Sequence, residues 1–247
     1  MNVVYCLVVI HELSKTPRAR RHDANLLRIL GAAMDMVAAG GFEALSMAKL
    51  AEAVDYTPGA LYRYFGSKDA LLSKLVARSL EDLRALLDRA EGLLPSSAAP
   101  LTRVFALVQG YRAFARLEPH RFGLLAMTMA EPRVLLQEPE DAEPVVVVMM
   151  ATLQRLAAAL GAAAEAGQLE PGELPERTIC VFAMLQGMLQ LHKQSRYAPG
   201  VLDVDRLTVR GTRSLLLGWG GKPRTVDAAI ARVAALGDLT VLLGGAA

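Results

Sequence analysis

Basic and aromatic side chains crowd into one short stretch of this chain. The stretch TPGALYRYFGSKDALL runs from Thr57 to Leu72 and holds three aromatic residues, whereas Phe, Trp and Tyr make up 5% of the whole sequence. Its arginine and lysine can neutralise phosphate groups, and the planar fork of arginine can also read a guanine edge. A tyrosine adds a flat apolar ring whose hydroxyl can reach a phosphate oxygen. This combination is typical of a surface that binds a polyanion.

Two short helices joined by a tight turn are predicted to position this stretch. Ser46 caps the first helix, SMAKLAEAV, whose apolar residues recur at helical spacing. Thr57 caps the second, and Pro58 occupies its first position, where the missing N–H costs nothing. The second helix is predicted to run to about Phe65. Two such helices form the helix-turn-helix pattern, in which the second helix enters the major groove of DNA and the first crosses the backbone.

The outward face of the second helix is therefore the expected DNA contact. Gly59 and Ala60 keep the start of the helix slim, which allows close approach to base edges. Leu61 and Phe65 are four residues apart, so they face inward and anchor the helix. Lys68 lies at the start of a long following helix, predicted to run to about residue 90, where free N–H groups already favour a phosphate.

A basic segment precedes the first predicted helix. Arg18, Arg20 and Arg21 come before Asp23, where that helix is predicted to begin, and the glycines of AGGF (39–42) are predicted to end it. Two interpretations of the arginines stay open, a solvated tail or an arm that contacts phosphates or the minor groove. Between residues 14 and 80, Lys and Arg outnumber Asp and Glu, while the rest of the chain is mildly acidic. This charge distribution indicates a polyanion partner for the first part only.

At these residues the chain resembles TetR-family (tetracycline-repressor-like) regulators. The resemblance covers about Asp23–Leu83 and depends on the pattern L-Y-x-x-F-x-S-K with the preceding G-F…S…L-A…T-x-G. It implies an all-α homodimer with an N-terminal DNA-binding domain and a C-terminal domain that binds a small molecule and supplies the dimer interface. One departure is the turn, which carries Gly-Val in the family and Asp55-Tyr56 here. Because aspartate tolerates the left-handed conformation better than most residues, we expect the turn to be kept.

The resemblance also assigns DNA-contacting positions. The predicted contacts are Ser46, Met47, Thr57, Pro58, Gly59, Ala60, Tyr62, Arg63, Tyr64 and Lys68, with Arg18, Arg20 and Arg21 in the arm.

Three parts of an all-α chain are predicted. They are an N-terminal arm (1–22), a three-helix helix-turn-helix domain (23–83, with the motif at about 46–65) and a helical ligand-binding and dimerisation domain (84–247). The proline- and serine-containing EGLLPSSAAPL (91–101) indicates a break. After it, helices are predicted at about 101–117, 119–130, 144–166, 175–195, 203–218 and 226–236, with a loop at 131–144.

The C-terminal helices carry scattered methionines and phenylalanines, which favour an adaptable apolar cavity. For any single residue, plain core packing is the more common explanation. The ligand-site candidates are Gln109, Phe114, Phe122, Met127, Met149, Phe182 and Gln186. Residues 175–195 and 203–218 are predicted to form the dimer interface, because CVFAMLQGMLQL is apolar nearly all round and Gly187 permits close helix approach.

Other sites are not indicated by the sequence. Cys6 and Cys180 form no disulfide framework, and His120 and His192 lack companions at metal-ligand spacing. Cys180 is expected to be a small, buried apolar residue. We expect no metal, no cofactor and no enzyme activity, and a cytoplasmic location. The apolar run Val3–Ile10 is too short to span a bilayer; it is either a strand-like arm or an artefact of an upstream start codon.

The expected function is a transcriptional repressor that binds a palindromic operator as a homodimer and is released by a small apolar or amphipathic effector. One alternative is a DNA-binding regulator without a small-molecule effector, controlled by a protein or acting as an activator; a filled C-terminal core would favour it. A remote alternative is an enzyme.

Overall fold

The computed structural model describes residues 16–132, 134–198 and 200–245. Every regular element within these ranges is helical, which confirms the predicted all-α fold. The chain divides into two compact units, the first ending at Leu75 and the second beginning at Val76. The apolar run Val3–Ile10, and the arm residues before Thr16, lie outside the described residues.

The first unit contains three helices and the start of a fourth. Helix α1 spans Pro17–Ala44, α2 spans Met47–Ala53, α3 spans Pro58–Leu61, and α4 begins at Lys68 and ends at Gly92. Their inward residues form a continuous core that excludes water, and burial of each large aliphatic side chain contributes about 1.5–3 kcal/mol. The largest fully buried side chains of this core are Ile29, Leu45, Leu50, Leu61, Leu71 and Leu75.

Helix α1 begins earlier than the sequence predicted. Thr16 is its N-cap, and the Thr16 hydroxyl oxygen accepts a hydrogen bond from the Ala19 N–H at 3.2 Å. Pro17 then occupies the first helical position, where its fixed φ suits the helix. Arg18, Arg20 and Arg21 are consequently exposed on the first turns of α1 and do not form an arm that precedes the helix.

The predicted glycine stop is confirmed as a break within α1. Gly40 leaves the helical conformation with φ −145°, and Gly41 has φ 70° and ψ −168°. Because a side chain is strained at that positive φ, only glycine adopts it readily. A last short turn then leads to Ala44.

The second unit is built around α5. Its helices are α5 (Pro100–Leu117), α6 (Pro119–Ala130), α7 (Pro139–Glu165), α8 (Leu174–Gln190), a 3₁₀ turn (Leu191–Arg196), α9 (Val204–Gly218), α10 (Pro223–Ala234) and α11 (Leu239–Gly244). Helix α5 packs against each of α6 to α11. It also meets the C-terminal half of α4 at Gly110, where an added Cβ would lie 2.9 Å from the Cβ of Ala90. The close approach of these two helices thus requires a glycine.

Several element boundaries differ from the predictions. Helix α7 begins at Pro139 because this residue takes the first helical position, and Pro144, predicted as its start, lies inside the helix. The preceding loop is accordingly shorter than the predicted 131–144. Helix α8 ends at Gln190, and the predicted continuation to residue 195 is the 3₁₀ turn.

Helix α7 is long and apolar enough, by length and composition alone, to cross a membrane. A single helix of this kind is weak evidence for a membrane span, because a core helix of a water-soluble protein meets the same criteria of length and composition. Much of its apolar surface is exposed, and the exposed large side chains are Val146, Val147, Met149 and Met150.

Candidate DNA-binding surface and ligand cavity

The turn between α2 and α3 keeps its shape despite the unusual Asp55-Tyr56 pair. Asp55 has φ 55°, the left-handed conformation that the sequence predicted for it. Arg28 of α1 donates a hydrogen bond to the Val54 carbonyl at 2.8 Å, and its guanidinium lies 5.4 Å from the centroid of the Tyr56 ring. Tyr56 is therefore held half-buried under an arginine, and the larger side chain is accommodated at the edge of the core.

Helix α3 is well started but shorter than predicted. The Thr57 hydroxyl oxygen accepts a hydrogen bond from the Ala60 N–H at 3.3 Å, which confirms Thr57 as the cap. After Leu61 the chain tightens, because the Tyr64 N–H bonds to the carbonyl three residues back, at 2.8 Å. Regular α-helix therefore ends at Leu61, not near Phe65, while both of these residues are buried as anchors, as expected.

Five of the predicted DNA-contacting residues lie on one exposed surface. Exposed there are Thr57, Pro58, Gly59, Tyr62 and Arg63, with 52% of the Tyr62 surface accessible. We call these five residues the recognition surface. It presents one hydroxyl-bearing ring and one guanidinium next to a slim helix start.

Two predicted contact residues are buried, contrary to the expectation for their side chains. Met47 and Ala60 are 7% and 8% exposed, because each lies on the core side of its short helix. Both residues therefore belong mainly to the core of the first unit. Ser46 takes the N-cap conformation of α2 but makes no side-chain cap hydrogen bond.

Tyr64 is held against α1. Its ring stacks on the imidazole of His22, and its hydroxyl lies 3.5 Å from the side-chain amide nitrogen of Asn25. The hydroxyl can accept that bond and donate its own proton elsewhere. Sequence reasoning missed His22 and Asn25, since nothing in their spacing from Tyr64 indicates a contact.

Lys68 lies at the start of α4. Ser67 caps this helix by accepting a hydrogen bond from the Ala70 N–H at 2.9 Å. The Lys68 ammonium donates to the carbonyl of Phe42 at 3.2 Å while remaining exposed. An ammonium has three donors, so this bond positions the charge without using it up.

An apolar cavity lies within the second unit. It encloses about 880 Å³, counting its open mouth, and is bordered by α4, α5, α6, α7 and α8. Apolar cavities of this kind are the usual binding sites of small-molecule ligands. Its apolar wall includes Leu80, Leu83, Leu87, Leu107, Val108, Leu125, Met149, Leu156, Phe182 and Leu185.

The structure brings some of the predicted ligand residues together at this cavity. Met149 and Phe182 belong to its wall. Phe122 packs edge-on against Tyr111, a wall residue, with 6.0 Å between ring centroids. Gln186 lies behind Tyr111 and is hydrogen-bonded to it.

The other predicted ligand residues lie elsewhere. Phe114 is fully buried in the core, and Met127 is half-buried on α6, on the wall of neither cavity. Gln109 borders a second cavity of about 510 Å³, beside α9, α10 and α11. Arg112 lines that cavity too and pairs with Asp205 and Asp238, each at 3.3 Å.

Tyr111 and Gln186 form a buried polar pair beside the apolar wall. The Tyr111 hydroxyl and the Gln186 side-chain oxygen share a short hydrogen bond, and the two residues are 6% and 3% exposed. Burial raises the pKa of Tyr111, so its hydroxyl stays protonated. The Gln186 amide nitrogen is buried without a hydrogen-bond partner in the described residues. Sequence reasoning selected Gln186 but missed Tyr111, whose only signal is one tyrosine on an apolar helix.

Arg155 lies at the cavity and is held by two carboxylates of α4. It pairs with Asp88, and it donates to the Glu91 carboxylate at 2.7 Å. This contact links α7 to the last turns of α4. No sequence pattern indicates this contact, because the partners are more than sixty residues apart.

The two helices predicted to form a dimer interface pack on each other. Helices α8 and α9 are in contact, and Met184 of α8 closes on Gly211, where an added Cβ would lie 2.8 Å from the Met184 sulfur. An adjacent face of α8 exposes Ile179, Cys180, Ala183 and Gly187. We call these four residues the α8 outer face. Cys180 was expected to be buried, and that prediction is wrong.

Comparison with known proteins gives matches in both units. Residues 29–75 match the family model of bacterial regulatory proteins of the tetR family, and residues 104–215 match the model of the tetracyclin repressor-like C-terminal domain. The HTH-type transcriptional repressor KstR of Mycolicibacterium smegmatis is 42% identical over 77 residues, which are 31% of this chain and 35% of KstR. The chain thus spans about a third of the length of this curated relative.

Solved structures share the fold over most of the chain. FadR of Bacillus subtilis in complex with stearoyl-CoA has a TM-score of 0.62 and 15% identity, covering 77% of this chain and 97% of FadR. AibR in complex with isovaleryl coenzyme A and operator DNA has a TM-score of 0.61 and 17% identity, covering 78% and 98%. The fold and the recognition surface are those of an all-α protein with an N-terminal helix-turn-helix domain. The chain belongs to the TetR family of bacterial regulatory proteins, a family of regulators and not of enzymes.

Proposed function

We propose that this protein is a ligand-responsive transcriptional repressor of the bacterial cytoplasm. It binds a palindromic operator as a homodimer through the domain at 23–83, and a small apolar or amphipathic effector in the domain at 84–247 releases it. The observation that carries the DNA-binding part is the recognition surface, set by the left-handed turn at Asp55 and the Thr57 cap.

Three contacts are assigned to the DNA-binding surface. Arg63 is the candidate base reader, because a guanidinium fork can bond both acceptors of a guanine edge. Tyr64 and Lys68 are the candidate phosphate contacts, since a hydroxyl and an ammonium both donate to phosphate oxygens. Arg18 and Arg20, on the exposed start of α1, add positive charge that favours a polyanion.

The cavity supports a small-molecule effector. A filled C-terminal core would have favoured a regulator without one, whereas this unit holds an apolar space of about 880 Å³. FadR and AibR, which share the fold, were each solved with an acyl-coenzyme A. The acyl groups of these ligands are apolar, as is the wall of the cavity here.

A route for release follows from α4. This helix begins at Lys68 and lines the cavity with Leu80, Leu83 and Leu87. A ligand that fits the cavity better in one position of α4 than in another shifts the population of that position. Only such a difference in affinity can couple the cavity to the start of α4. We place the dimer interface on α8 and α9, through the α8 outer face.

The proposal is tested by selecting bound sequences from a random duplex library at a stated, near-physiological salt concentration. Wild type is compared with a Tyr64→Ala, Lys68→Ala double variant and with Lys74→Ala, a matched exposed lysine further along α4. We expect wild type and Lys74→Ala to enrich one palindrome, and the double variant to lose it. No enrichment by wild type, or equal enrichment by the double variant, would contradict the proposal.

A further inference from the structure

The hydrogen-bonding groups of the large cavity define a narrow class of ligand. We propose that its effector is an uncharged, mostly apolar molecule with one hydrogen-bond-accepting oxygen, which binds to the Tyr111–Gln186 pair. The inference rests on the proposed role of the cavity as the effector site, and it adds the chemistry of the ligand.

Two of the polar wall residues have no proton to offer. Thr128 and Thr152 both line the cavity, and each hydroxyl donates to a backbone carbonyl of its own helix at 2.8 Å. Their oxygens can still accept, but their donors are used. A ligand group that must receive a hydrogen bond therefore finds no donor at either threonine.

The Tyr111–Gln186 pair has three donor hydrogens, and the single hydrogen bond within the pair uses one of them. As oriented, the Tyr111 hydroxyl and the Gln186 oxygen bond each other, and the buried amide nitrogen of Gln186 has no partner in the described residues. If the amide were reversed, its nitrogen would donate to the hydroxyl oxygen and the Tyr111 proton would be unused. Tyr111 lines the cavity and Gln186 does not, so the donor offered to a ligand is the Tyr111 hydroxyl, freed when the Gln186 nitrogen donates to its oxygen. A buried donor without a partner is unfavourable, so an acceptor oxygen brought by a ligand is stabilised there.

The third polar group disfavours an anionic ligand. Arg155 borders the cavity, but its single positive charge already faces the carboxylates of Asp88 and Glu91. The cluster carries a net negative charge, so a ligand carboxylate there would be desolvated without a free cation to pair with. The remaining wall is aliphatic and aromatic. The ligand class that fits is an apolar skeleton with one ketone, ester or similar oxygen.

The experiment measures displacement of the neutral dye Nile red by 2-decanone, 1-decene and decanoate at pH 7.5. These probes share a chain length and differ in the polar group. The proteins are wild type, a Tyr111→Phe, Gln186→Met double variant that removes the pair while keeping its volume, and Thr128→Val as the matched loss of a wall hydroxyl. Unfolding curves establish that each variant is folded, and Tyr111→Phe alone serves if the double variant is not.

We expect the affinity ratio of 2-decanone to 1-decene to fall about three- to tenfold in the double variant, the equivalent of one hydrogen bond. Thr128→Val should leave this ratio within about twofold of wild type, and decanoate should bind wild type more weakly than 2-decanone. A ratio that does not change in the double variant, an equal fall in Thr128→Val, or tighter binding of decanoate would overturn the inference. So would a cavity that binds neither dye nor probe. Because no step of this assay uses DNA, operator selection reports separately on the proposed repressor.

Discussion

The phenol ring of Tyr64 stacks on the imidazole of His22, with 4.9 Å between ring centroids and 11° between ring planes. This contact joins the start of α1 to the turn that follows α3. Asn25 adds a polar contact from the same helix, 3.5 Å from the Tyr64 hydroxyl. A ring fixed in this way presents its hydroxyl in one place, which is what a contact to a single phosphate oxygen requires.

Removal of the hydroxyl should separate DNA binding from stability. We expect Tyr64→Phe to keep the stack and to change the free energy of unfolding by less than about 0.5 kcal/mol. Loss of one hydrogen bond should weaken operator binding about three- to tenfold per subunit. Fluorescence anisotropy with the selected operator and urea unfolding give the two quantities. Tyr64→Ala also loses the aromatic contact, so it should lower stability by about 0.5–1.5 kcal/mol. Unchanged operator affinity in Tyr64→Phe would show that the hydroxyl does not meet the DNA.

Lys68 should reveal itself in the salt dependence of operator binding. Each phosphate that a cation neutralises contributes about 0.9 to the slope of log affinity against log salt. Lys68→Ala should reduce that slope by about 0.9 per subunit and weaken binding to all duplexes alike. The measurement is a titration at four or more salt concentrations. Lys74→Ala, on the same helix, should leave the slope unchanged, and a matching loss in both variants would rule out a specific contact at Lys68.

The α8 outer face can be tested at its glycine. An added Cβ at Gly187 meets no atom within 4 Å in the single chain, so a larger side chain there should leave the protomer folded. If α8 packs closely on a second copy, Gly187→Leu should raise the dimer dissociation constant at least about tenfold, a loss of about 1.4 kcal/mol. Sedimentation velocity over a concentration series measures it. Gly123→Leu on α6 is the control, because Gly123 also has no atom within 4 Å. Equal dimer dissociation constants for the two variants would show that the dimer interface does not include the α8 outer face.

Asp238 should make stability depend on acid pH. Its carboxylate accepts from the Thr240 N–H at 2.9 Å and pairs with Arg112, and these contacts hold the pKa of Asp238 below its ordinary value of 3.8. The folded chain therefore favours the ionised form. Its stabilisation is full above about pH 4 and is lost as the pH falls through the lowered pKa.

The matching experiment compares unfolding of wild type and Asp238→Ala at pH 7 and pH 3. At pH 7 the variant should be less stable by about 1 kcal/mol, the usual cost of losing an N-cap. The difference should shrink at pH 3. Asp238→Asn keeps a capping oxygen and should lose less. A difference that grows as the pH falls would contradict the assigned sign.

The features that the sequence predicted correctly are those that depend on residues close together in the chain. The Thr57 cap, the glycine break at Gly41 and the left-handed Asp55 each follow from local backbone preferences, and each is confirmed. The all-α fold follows in the same way from periodicity and composition. The predicted start of α1 and the predicted end of α3 differ from the structure. Capping by Thr16 and the tight turn after Leu61 set these ends, and the apolar pattern does not show them.

Contacts between distant residues could not be predicted from the sequence. Tyr111 meets Gln186 across 75 positions, and Arg155 meets Glu91 across 64. A helix pattern gives the buried face of each element but not the rotation of one element against another, so the polar pair at the cavity emerges only from packing. For the same reason Cys180, on a helix that is apolar nearly all round, was assigned to the wrong face.

Because α3 is short, it offers few side chains that could distinguish one DNA sequence from another. The helix has four residues, and the recognition surface contains one charged side chain, Arg63. Pro58 and Gly59 offer no polar side-chain atom, and the Thr57 hydroxyl, which accepts from the backbone, has one donor left. Few side-chain atoms of the recognition surface are then available to distinguish one half-site from another. If Arg63 reads a base as proposed, replacement of this one residue is expected to change the preferred half-site, so copies of such a gene could diverge through a single codon.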